Sequence, residues 1–163
     1  MAWSDGIPWA IAVAGWAAVH LSSESRERRK ECRAKLDKLT EVIQAIGTDA
    51  QAFHSAAAHD PVVAAALDTR IYRLERKFKT VPILALDDIL PFLIALRRSV
   101  TLENFDSSAF TAQPPGSEIL NEIDAAVEDL EDEMERQYAA HYPSTFPNFR
   151  VRLRQNGARN RPS

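Results

Sequence analysis

The chain has a single cysteine, only five glycines and sparse β-branched or aromatic runs, and each scarcity excludes something. With Cys32 alone there is no intrachain disulfide, and the lone thiol suits a reducing compartment. No Gly-rich phosphate loop, Gly-x-Ser-x-Gly elbow or His-Glu-x-x-His pair occurs, so the sequence carries no signature of a nucleotide site, a serine hydrolase or a zinc protease. No cofactor is expected. Few breakers interrupt a composition rich in Ala, Leu, Glu and Arg, which favours helix over sheet. A net charge of −3 does not describe a nucleic-acid binder as a whole. At 163 residues the chain is long enough for one domain with a real core.

What is present begins with an apolar stretch. From Ile7 to Leu21 the only polar side chain is His20. Counted from Trp3, nineteen residues as helix reach about 28 Å, close to the hydrocarbon thickness of a bilayer. Trp3 and Trp9 lie near the outer end of this stretch and Trp16 within it; indole rings favour the headgroup region. The basic flank follows the apolar stretch, with Arg26, Arg28, Arg29 and Lys30 first, whereas only Asp5 and the terminal amine precede it. The positive-inside bias therefore places the N-terminus outside and the bulk of the chain in the cytoplasm. A cleavable signal peptide has its charges the other way round. The competing expectation is a helix buried in a soluble core.

Beyond the flank, Cys32, Leu36, Leu39, Ile43 and Ile46 follow a four-three spacing, an a/d seam that suits either a homo-oligomer or an ordinary bundle helix. Gly47 is expected to end that helix as a left-handed cap, with Thr48 and Gln51 forming a capping box for a short helix over 49–58. Asp60-Pro61 opens the next helix, to about Lys79, with Val63, Leu67, Ile71, Leu74 and Phe78 inward. Another begins near Asp87 and Asp88, with Pro91 expected in its first turn and Phe92, Leu93, Leu96 and Val100 as its stripe. Pro114, Pro115 and Gly116 break the chain before Ser117 caps a last helix over 118–140, with Ile119, Ile123, Val127, Leu130, Met134 and Tyr138 inward. The expected fold is all-α: a single N-terminal transmembrane helix (1–22), continuous with a four- to five-helix antiparallel cytoplasmic bundle (23–142), then an Arg-rich tail (143–163).

Charge is segregated along the chain. The last helix carries nine acids before Arg136 and none beyond Glu135, with Asp124, Glu128 and Asp132 at i, i+4 spacing. Such an array is a solvated or partner-binding face; a metal site would need ligands converging from several elements. The tail is its complement, with Arg150, Arg152 and Arg154 followed by Arg159 and Arg161. Its candidate partners are anionic lipid, an acidic protein surface or RNA.

Arg136 and His141 form an Arg-x4-His pair at the end of the last helix. This spacing resembles the signature of HEPN-type ribonucleases, helical proteins in which paired Arg and His from two subunits cleave RNA without metal. The resemblance implies a His that moves protons and an Arg that steadies negative charge on phosphate. The overall layout also looks like small membrane-anchored accessory proteins of bacterial antiphage systems, including one associated with RNA-targeting CRISPR nucleases. The leading expectation is a single-pass, bacterial inner-membrane homo-oligomer that acts through protein–protein contacts. Small residues (Ala12, Ala14, Gly15, Ala17, Ala18) let anchors pack closely, and packed anchors could form a pore. The alternatives are the ribonuclease and a soluble adaptor or immunity protein whose acidic helix covers a basic partner.

Overall fold

The computed structural model describes the backbone of residues 7–102 and 104–143, and side chains over that range at Trp16 and from Ser23 onward. Trp3, the Trp9 side chain and the arginines Arg150, Arg152 and Arg154 lie outside the described residues. Within them every regular element is helical: α1 (Ile7–Ser55), α2 (Pro61–Phe78), α3 (Leu86–Thr101) and α4 (Glu118–His141). α1 packs against α2 and α4, and α3 packs heavily on α4 and lightly on α2, so α2 and α4 occupy opposite corners of a four-helix bundle.

The bundle has four helices because Gly47 does not end α1. The glycine is buried mid-helix, where a Cβ would lie 2.9 Å from Val127 Cγ2 of α4. Its value is close approach between two helices, and no left-handed turn is needed. Thr48 accordingly makes no capping box; its hydroxyl donates back to the Gln44 carbonyl at 2.9 Å. The same helix therefore runs on through Ala50 and Phe53, both buried.

The other starts follow local chemistry. Asp60 Oδ1 accepts from the Val62 and Val63 amides at 2.8 and 3.3 Å, with Pro61 at the first helical position. Ser117 caps α4 after Gly116 turns through φ +77°. In α3, Pro91 sits in the second turn rather than the first. The Asp87 carbonyl it leaves without an amide is on an exposed turn, where water can satisfy it. α2 buries Ala64 in place of the expected Val63, which is 36% exposed.

Leu36, Leu39, Ile43 and Ile46 are between 0 and 3% exposed, packed with Leu67, Ile71, Leu74, Phe78, Leu96, Ile123 and Leu130 of the same chain. The a/d seam is thus the core face of a bundle helix, which leaves those four side chains no surface to offer a second copy. Only Cys32, at the seam's N-terminal end, is half-exposed. Each such aliphatic side chain contributes about 1.5–3 kcal/mol by leaving water, so the core has first claim on the stripe.

Among the described residues no helix is long and apolar enough to cross a membrane. His20, the two indoles and the alanines dilute the apolar segment.

Candidate functional site

The inward side of α4 carries two polar residues, Glu133 and Gln137, each 7% exposed. They stand one helical turn apart and act together: Gln137 Nε2 donates to Glu133 Oε1 at 2.6 Å, while Gln137 Oε1 accepts the Ala85 amide at 2.7 Å. Ala85 is the N-cap of α3, and this bond from across the interface satisfies its own amide. Arg136 closes the network from outside, its Nε and Nη2 donating to the two Glu133 oxygens at 2.6 and 2.5 Å. The fork matches a carboxylate in the bidentate manner. The Arg136 bond holds the Glu133 carboxyl below its usual range against the opposing effect of burial, and Gln137 adds to the depression. The same bond raises Arg136.

Beside this network lies an open groove of about 310 Å³ lined by Ile83, Ala85, Asp88, Arg136, Gln137 and His141, among others. The Arg-x4-His pair therefore borders one surface. Five residues along a helix, however, set the two side chains roughly 140° apart about its axis. Arg136 is committed to Glu133. His141 is exposed and stacks edge-to-face on Tyr142, with ring centroids 4.7 Å apart. Among the described residues it has no hydrogen-bond partner to orient it, which a general base requires. Asp88 adds a negative charge to the groove, unfavourable for a phosphate.

The basic flank on α1 is partly spoken for. Arg28 pairs with Glu24 at 2.6 Å and Lys30 with Glu27 at 2.9 Å, all well exposed. Arg29 donates to the Tyr138 hydroxyl at 3.4 Å and lies over the Tyr142 ring. Arg33 bridges to Glu135 at 2.8 Å and to Asp37 on its own helix, and its guanidinium covers Tyr138. Arg26 makes no ion pair among the described residues, and Trp16 is 69% exposed. The end of α4 is thereby strapped to α1 by cation–aromatic and charged contacts in addition to the packing of Tyr138 on the core.

At the other end of the bundle, His54 is fully buried, its Nε2 donating to the Val100 carbonyl at 3.0 Å. Its Nδ1 then accepts from Asn104 Nδ2 at 3.3 Å, and Asn104 is held in that orientation by accepting the Thr111 amide at 2.6 Å. Burial lowers the His54 pKa, partly opposed by the Val100 bond. His59 turns its Nε2 to the Phe105 carbonyl at 3.2 Å, beside Phe53 and Phe110. The two histidines are structural latches on the 102–117 loop. Among the described residues no cluster of His, Cys, Asp and Glu could hold a metal ion.

Two features escaped sequence reasoning. Glu133 and Gln137 continue the spacing Ala126, Leu130, Glu133, Gln137 on the α3 side of α4, and an acid in that register is the signal that was available. The second is a groove between α1 and α2 lined by Lys35, Lys38, Leu39, Lys77, Thr80 and Val81. It gathers three of the chain's five lysines from two distant segments, which only the packing of α1 on α2 brings together. The chain matches no protein-family model, no curated protein and no solved structure. The fold class is nonetheless plain: an all-α four-helix bundle with one overlong helix.

Proposed function

We propose that this protein is a non-enzymatic, membrane-held homo-oligomer that acts through protein–protein contacts. One observation carries the reading: α1 is a single unbroken helix of 49 residues, against 24 for α4. At 1.5 Å per residue these span roughly 73 and 36 Å. Glu24 is the most N-terminal α1 residue described in a shared groove with another helix, alongside His141 and Tyr142. The preceding turns are the apolar, Ala-rich ones, followed at once by the basic flank. A helix of marginal hydropathy becomes a workable anchor when copies pack through small residues and shield His20 from lipid. Continuity with the bundle also means that any tilt of the anchor is transmitted to the rigid core. The orientation with the bundle in the cytoplasm follows from the same flank.

The test is fractionation of full-length protein with alkaline extraction, then sizing in mild detergent. Retention in the membrane pellet and a mass above one chain of 18.2 kDa are expected. Val13→Asp should release the protein from the pellet. Recovery of wild type as a soluble monomer would overturn the reading. The ribonuclease alternative has one favourable observation, that Arg136 and His141 border the same groove. Loss of RNA cleavage in the Arg136→Ala/His141→Ala double variant, with an unchanged unfolding midpoint, would favour it instead.

A further inference from the structure

The bundle carries two unneutralised patches of opposite sign. On α4, Glu122, Glu128, Asp129 and Asp132 are exposed and none makes an ion pair among the described residues; Glu122 and Asp129 share a groove with Arg98 of α3, which leaves Glu128 and Asp132 as the bare pair. Their field reaches Glu131, whose Oε1 is buried without a hydrogen-bond partner among the described residues. Burial first, then repulsion from Asp132, Glu128 and Glu135, raises its pKa against a bond from Gln44. Across the bundle, Lys35 and Lys38 of α1 face Lys77 of α2 and Thr80 just beyond its end around a groove of about 170 Å³ whose lining contains no carboxylate. Arg73, Arg76 and Lys79 extend this patch along α2; all are exposed and unpaired among the described residues. Other cations on α1, α2 and α3 are paired, through Arg33–Glu135, Arg70–Asp49 and Arg97–Asp68.

Their placement limits what can join them. α2 and α4 sit at opposite corners. A twofold contact would need both patches in one interface, which opposite sides of a bundle cannot provide. Along the bundle the two are offset: Arg33, just before the lysine groove, pairs with Glu135, whereas Gln51 bonds Asp124 and Gly47 meets Val127, so most of the acidic stretch lies level with the middle of α1.

We propose that successive copies of this chain dock heterologously, the acidic face of α4 on one copy entering the Lys35–Lys38–Lys77 groove of the next. The inference rests on the oligomer reading above and specifies its interface. Repeated, the contact gives a ring where its rotation closes and a filament where it does not. Between exposed charges it is steered and held in large part electrostatically, so salt loosens it over a screening length of about 8 Å at physiological ionic strength.

Sizing of full-length protein in non-ionic detergent tests it with two variants, Lys35→Glu/Lys77→Glu and Glu128→Lys/Asp132→Lys. All four positions are exposed and outside the core. Each variant alone is expected to run at the mass of one chain where wild type is larger. An equimolar mixture is expected to recover the wild-type size by alternating the two variants, because each face then meets a groove of opposite sign on the other variant. Wild-type oligomers that survive both reversals overturn this interface and leave the oligomer reading standing. A wild-type monomer at every salt concentration overturns both. Disassembly on reversing the acidic face alone assigns that face to another occupant, the Arg-rich end of the chain being the available one, and also overturns the proposal. So does a mixture that stays monomeric.

Discussion

Adding one methyl group at Gly47 sets two effects of known size against each other. In the interior of an isolated helix, Gly→Ala stabilises by about 0.5–1 kcal/mol, because the chain has less backbone freedom to lose. Here the new Cβ would stand 2.9 Å from Val127 Cγ2, closer than packed carbons tolerate. Val127 is β-branched on a helix, so its χ1 has little freedom to swing the methyl aside. The helices must then separate by a few tenths of an ångström, and overpacking of this kind costs about 1–3 kcal/mol. Strain wins, and Gly47→Ala is expected to destabilise by about 1 kcal/mol. Val127→Ala alone removes two methyl groups from a half-buried site and should cost about 1 kcal/mol. Together the changes compensate, because the methyl added at position 47 occupies the space the valine vacates, giving a favourable coupling of about 1 kcal/mol in a double-mutant cycle. Urea unfolding followed by circular dichroism on all four proteins measures it. A Gly47→Ala protein more stable than wild type, with additive effects in the double variant, would refute the close-approach account of this glycine.

Glu133→Leu should cost about 1–3 kcal/mol, since it strands the buried Gln137 amide and unties Arg136 as well. Hydrogen exchange at the Ala85 amide should quicken, because Gln137, loosened by the loss of Glu133, is its acceptor. His54 gives the pH dependence: its folded pKa lies below the ordinary value of about 6.5, so the neutral ring's contribution is complete above that value. As pH falls below it, that contribution is lost progressively down to the lowered folded pKa, because burial disfavours the charged ring, and a proton on Nδ1 would also face the Asn104 amide donor. Unfolding midpoints at pH of about 7.5 and 5.5 should show the drop, and His54→Gln should flatten it. A slope unchanged by that substitution would move the titration elsewhere. Asp60→Ala should lower stability by about 1 kcal/mol through loss of the α2 cap, with Asp60→Ser nearly neutral.

Much of this architecture is legible in residue order because its signals are local. Asp60-Pro61 and Ser117 mark helix starts through their own short-range hydrogen bonds, and the stripes through Leu67–Phe78 and Ile123–Met134 are one-dimensional patterns that packing merely obeys. Where residue order misleads, the deciding force comes from a distant segment. Gly47 looks like a terminator until Val127 of α4 is pressed against it. The Cys32–Ile46 seam looks free to pair with a second copy until α2, α3 and α4 are shown to consume its Leu and Ile side chains. Pro91 is expected in a first turn because intrinsic helix rules disfavour it later, yet an exposed carbonyl in the second turn meets little penalty.

The sequence by itself determined the all-α class, the starts of α2, α3 and α4, the apolar segment with its basic flank and the sign of the charge on each segment. These depend on composition, periodicity and contacts a few residues apart. Tertiary structure alone decided which charges end bare and which end paired. It tied Arg136 to Glu133 and Arg33 to Glu135, and gathered Lys35, Lys38 and Lys77 into one groove with no carboxylate. Electrostatic energy depends on distance and burial in three dimensions, and neither is written in the order of residues.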